Sequence, residues 1–122
     1  MFGNDINNKL NRLNFEDILW ILFALLAIYN IIGNKNEKNY LKSNNIIYEE
    51  KANKIFEFTL GVTLLIYIYF FIRNYNSFKQ SSEKEKSLYT IKLLGSSLLI
   101  GGIVCLIYFQ VNQENFIGSP GL

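Results

Sequence analysis

The chain has 122 residues with 12 basic and 10 acidic side chains, and its formal charge of +2 selects no partner by electrostatics alone. It contains no histidine, one cysteine, one proline and one methionine, which removes most of the side chains on which a small enzyme builds acid–base, nucleophilic or metal chemistry. The length admits one domain, residues 1–122.

Half of the residues are hydrophobic, and they are gathered into blocks instead of being spread along amphipathic elements. Residues 18–32, 58–72 and 93–109 contain no Asp, Glu, Lys or Arg. A helix on the surface of a soluble domain keeps a polar face and does not carry such runs. Each run falls a little short of the roughly 20 residues that cross a hydrocarbon core, but Phe15, Ile55, Phe56, Tyr75, Tyr89 and Ile91 extend them at the edges. The pattern predicts an all-α integral membrane protein with three transmembrane helices, at about 15–33, 54–75 and 89–110.

In chain order, residues 1–13 are polar and Asn-rich with no periodic apolar face, and read as a loose leading segment. Asn14 has the chemistry of an N-cap, with Glu16 and Asp17 favoured by the helix dipole in the first turn. Gly33 and Asn34 read as the stop of this first helix. Lys9 and Arg12 precede an apolar run with no small-x-small cleavage site after it, so the run reads as a retained signal anchor.

The stretch 34–53 is highly polar and reads as a long connector, with Asn44 and Asn45 interrupting any helix within it. The second helix is expected to start near Ile46, well outside the bilayer, to end at Arg73 or Tyr75, and to be the longest. A connector over 74–82 follows. Ser82 and Glu85 form a capping-box pair for a third helix ending near Val111. The short connector predicts that helices two and three pair as an antiparallel hairpin. The tail, 112–122, carries Gly118-Ser119-Pro120-Gly121 and reads as irregular.

Basic residues near the membrane ends set orientation. Lys9, Arg12, Arg73, Lys79, Lys84, Lys86 and Lys92 fall on one side, and Lys35, Lys38, Lys42, Lys51 and Lys54 on the other. The excess places the N-terminus inside.

Three constellations stand out within the apolar frame. Ser97, Gly101 and Cys105 recur every four residues, with Gly95 and Gly102 close by, and small residues at that spacing let helix backbones approach. This face is expected to contact protein, either the other two helices of the chain or a second chain. Asn30, Glu57 and Gln110 fall at one membrane level and form a candidate polar layer. Glu57 is the ionisable member, yet it lies near the water boundary one turn from Lys54 and has a structural reading as well as an ion-pathway one. Glu16, Asp17, Arg73 and Lys92 meet at the opposite level as a candidate charge clamp, with a lipid-headgroup site at Arg73 and Lys92 as a second reading. Tyr67 and Tyr69 lie deep on different faces of helix two, so one hydroxyl needs a protein partner.

There is no HExxH, no cysteine cluster, no phosphate-binding glycine loop and no nucleophile elbow. The sequence therefore predicts a non-enzyme with no cofactor and no metal. Lysines mixed with glutamates do not make a nucleic-acid surface. The expected partners are the lipid bilayer and other membrane proteins or further copies of the chain. The function that fits is a structural or accessory subunit of an assembly in a cell envelope or virion membrane. A homo-oligomeric channel is the alternative, weakened by the apolar middle of each span at Leu22 to Leu26, Leu64 to Ile66 and Leu98 to Ile100.

Overall fold

A computed structural model describes residues 2–113 of the chain, with side chains from Asp5 onward. The described residues form three helices, α1 (Phe2–Ser43), α2 (Ile46–Gln80) and α3 (Lys86–Asn112). All three are long and apolar enough to cross a membrane. At about 1.5 Å per residue even α3, the shortest, exceeds a hydrocarbon core of about 30 Å.

The helices overrun the boundaries expected from the sequence, and α1 does so most. It has 42 residues and α2 has 35, so the first helix is the longest. Residues 2–13 are its first turns instead of a loose segment, and Asn14 sits within the helix instead of capping it. At the other end α1 continues through Gly33 and Asn34 for another nine residues. A glycine weakens a helix interior without ending it, and here close packing on α2 holds the position.

The polar stretch taken for a long connector is therefore almost wholly helical, and the turn shrinks to two asparagines. Asn44 takes the left-handed conformation (φ 56°), which asparagine tolerates better than most residues, and its N–H donates to the Tyr40 carbonyl at 2.7 Å. Asn45 caps α2, its side chain accepting from the Ile47 N–H at 3.1 Å. Ser43 ties the turn from both directions: its hydroxyl donates to the Asn39 carbonyl and accepts from the Asn45 N–H.

The second turn, 81–85, is shorter than expected because α2 runs on to Gln80. The anticipated capping box is replaced by a backbone turn: the Glu85 N–H donates to the Ser82 carbonyl at 3.0 Å, and Glu85 occupies the N-cap position without a side-chain cap bond. α3 ends at Asn112 with Gln113 as its C-cap; the rest of the irregular tail anticipated for 112–122 lies outside the described residues.

α2 is the central element. It packs against both α1 and α3, which do not pack on each other. The buried residues follow from that arrangement: Ala52, Ile55, Phe56, Leu60 and Ile66 on α2, Leu26 on α1 and Ile103 on α3 form the apolar part. In the most apolar window of α1, as in that of α3, only 11 % of the residues are buried, against 33 % for α2.

Candidate functional site

The α1/α2 seam is built around Gly33. A Cβ at this position would lie 2.6 Å from Cε1 of the fully buried Phe56 and 3.1 Å from Ile55, so the glycine is what allows the two backbones to approach. Aromatic pairs extend the seam. Tyr29 meets Phe58 edge-on at 5.8 Å, Phe23 lies 5.9 Å from Tyr67, Trp20 5.6 Å from Phe70, and Phe15 5.0 Å from Tyr69. Such offset and edge contacts suit the ring quadrupoles.

At one end of this seam sits a charged cluster centred on Glu16, which is only 5 % exposed. Its carboxylate accepts from Arg73 Nη1 at 3.1 Å and from the Tyr69 hydroxyl at 3.1 Å, with Arg12 one turn earlier at 3.7 Å. Burying a carboxylate is tolerable only when it is hydrogen-bonded and paired; here two hydrogen bonds, from Arg73 and Tyr69, reach it, and the Arg12 guanidinium adds a second ion pair. Tyr69 is thereby the deep tyrosine with a protein partner. Of the four residues read as a charge clamp, Glu16 and Arg73 come together; Asp17 and Lys92 are exposed and enter no ion pair among the described residues.

The residues read as a polar layer divide between the two seams. On the α2/α3 side Asn53 is the hub: its Oδ1 accepts from Gln110 Nε2 at 2.6 Å and from Gln113 Nε2 at 3.1 Å, while its Nδ2 donates to Glu57 at 3.2 Å. Asn30 instead faces the α1/α2 side, where it lines an open cavity of about 340 Å³ with Leu26, Thr59 and Thr63. The buried oxygens of Asn30, Thr59 and Thr63 have no hydrogen-bond partner. Glu57 and Gln110 are thus connected through a residue the sequence reading passed over, and Asn30 is not part of that network. Asn53 lies one turn before Glu57, and that spacing is the signal that could have found it.

A second polar contact joins the other ends of α2 and α3, where the buried Asn74 donates to the Ser96 hydroxyl. Ser96, Ile103 and Gln110 are the buried residues of α3 and recur every seven positions, so they define the face that meets α2. The small-residue stripe lies elsewhere. Gly95, Ser97, Gly101, Gly102 and Cys105 are all exposed, and a Cβ built on Gly95, Gly101 or Gly102 would meet nothing within 4 Å. The expected packing of this stripe against the chain's own helices is not found, because Ser96 and Gln110 bring a neighbouring face of α3 onto α2. Ser97 satisfies its own hydroxyl by donating to the Leu93 carbonyl.

A second hollow lies between α1 and α3, over the surface of α2 that neither covers. It holds about 370 Å³ and is lined by Trp20 and Phe23 of α1, Tyr67, Phe70, Arg73 and Asn74 of α2, and Lys92, Ser96 and Leu99 of α3. Among the described residues no group of three His, Cys, Asp or Glu side chains is placed to hold a metal ion.

Comparison with known proteins found no match to any family model, to any curated protein or to any solved structure.

Proposed function

We propose that the chain is a three-span integral membrane protein that serves as a structural or accessory subunit of a membrane assembly and catalyses no reaction. One observation carries this reading: α1 and α3 bury only about a tenth of the residues in their apolar windows. Water does not tolerate so large a continuous apolar surface, and lipid or partner helices provide its natural covering. Helices two and three form the antiparallel hairpin, since Asn53 near the start of α2 bonds to Gln110 near the end of α3, and Asn74 near the end of α2 bonds to Ser96. The N-terminus and the 81–85 turn share the more basic, inner side. The Asn44–Asn45 turn, carried on helical extensions of α1 and α2, projects on the other side as a rigid contact surface.

The small-residue stripe of α3 supports the assembly reading. Its single cysteine, Cys105, lies on that face and is exposed, so it reports directly on what covers the face. Oxidative cross-linking of native membranes is expected to trap Cys105 with another chain or with itself, and Gly101→Leu is expected to abolish the cross-link by preventing close approach. Unaltered cross-linking in that variant refutes the assignment of this face.

The orphaned oxygens of Asn30, Thr59 and Thr63 favour a channel as the second reading, because they carry polarity into the α1/α2 seam. Against it, Glu57 and Asn30 serve different seams and do not face a common path. Ion flux from purified protein in liposomes decides between the two, and none is expected.

A further inference from the structure

The hollow between α1 and α3 has a chemical gradient along its length. Arg73, Asn74 and Lys92 lie at the end nearest the 81–85 turn, and Trp20, Phe23, Tyr67 and Leu99 continue it away from that turn. By helical rise, Leu99 lies about 10 Å along α3 from Lys92. In a chain with three membrane spans, this puts cations at the bilayer edge and apolar surface toward its middle.

The polar end also has groups without a protein partner. Lys92 has no carboxylate within 4 Å, since Glu16 holds Arg73 and Arg12 and accounts for every ion pair among the described residues. Glu85, which shares a small neighbouring hollow with Lys92, makes no ion pair with it. The buried Nε of Arg73 has no acceptor, and the buried Oδ1 of Asn74 has no donor. Asn74 is itself 7 % exposed and lines the hollow. A ligand that satisfied all three would bring an anion with several acceptor oxygens for Arg73 and Lys92, a hydroxyl for Asn74, and an apolar chain to lie along Trp20, Phe23 and Leu99.

We infer that this groove is a binding site for one anionic phospholipid, with its phosphate between Arg73 and Lys92 and an acyl chain lying between α1 and α3. The volume of about 370 Å³ is that of a small-ligand cleft, enough for the headgroup end and the first part of one chain. The groove exists because α1 and α3 each pack on α2 and not on each other, and the lipid fills the space that a closed three-helix bundle would not leave. The inference rests on the membrane reading proposed above.

Trp20 is the only tryptophan in the chain and lines the groove, so its fluorescence tests the site with the full protein. The chain is reconstituted in phosphatidylcholine vesicles in which a fixed minor fraction of lipid is chain-brominated, either phosphatidylcholine or phosphatidylglycerol. Quenching of Trp20 is expected to reveal an enrichment of phosphatidylglycerol of about fivefold, the scale of one juxtamembrane cation's attraction. Lys92→Gln should bring it close to parity, Lys92→Arg should retain it, and Lys84→Gln, which removes the same charge from the turn, should leave it unchanged. Equal quenching by the two brominated lipids, or equal losses in Lys92→Gln and Lys84→Gln, overturns the site while leaving the membrane reading intact. No quenching by either lipid overturns both.

Discussion

The two seams of α2 hold their partners by different means. Against α1 the contact is steric and aromatic, set by one glycine that a buried phenylalanine ring overlies, and it terminates in a buried carboxylate held by two hydrogen bonds and two arginines. Against α3 the contact is polar, made by Asn53 with Gln110 at one end and Asn74 with Ser96 at the other, with Ile103 between them. The difference teaches that small residues mark a close approach only where another element lies over them. Gly33 is covered, whereas Gly61, Gly95, Gly101 and Gly102 have nothing within 4 Å of a built Cβ. On the α3 side, hydrogen bonds choose the face, because a buried amide left unpaired between two helices costs more than small side chains left uncovered.

Breaking the steric seam should have the largest effect. Gly33→Ala puts a methyl 2.6 Å from the Phe56 ring, and that ring is fully buried, so the ring or the backbone must shift. Overpacking of this kind costs about 1–3 kcal/mol. Thermal unfolding in detergent should show a clear drop for Gly33→Ala and none for Gly61→Ala, where the added methyl meets open space. A drop of equal size in both would remove the distinction between covered and uncovered glycines.

The polar seam is expected to be softer. Asn53→Leu removes the acceptor of Gln110 and Gln113 and the donor to Glu57 together, and interhelical hydrogen bonds in membranes contribute about 0.6 kcal/mol on average and at most about 2 kcal/mol each. A denaturant titration should show a modest loss, and in the double variant this loss should add to that of Gly33→Ala. A non-additive loss would mean that the two seams are coupled.

Glu57→Gln should have the smallest effect. Gln can still accept from Asn53 in place of the carboxylate, and a partly exposed charge is largely screened. Stability and vesicle ion flux should match the parent. A Glu57-dependent proton or cation flux would instead move the polar seam from structure to transport.

The sequence by itself determined that the chain is helical, that it has three apolar blocks long enough to cross a membrane, and that catalytic motifs are missing from it. These are properties of local composition, and no tertiary contact is needed to read them. It also marked Asn44 and Asn45 as an interruption and Glu16 with Arg73 as opposite charges at one level. Where the helices stop was not legible, because Asn14 and Gly33 have the chemistry of boundaries, yet an unbroken helix satisfies more backbone hydrogen bonds and Gly33 is held by what packs on it. Nor could sequence spacing choose between two faces of α3: a small-residue stripe at every fourth position and a Ser96, Ile103, Gln110 row at every seventh are both present, and both are consistent with a helix contact. Only the tertiary structure decided, because the amides of Asn53 and Asn74 on α2 meet the second row, leave the first exposed, and hold α3 far enough from α1 to open the groove.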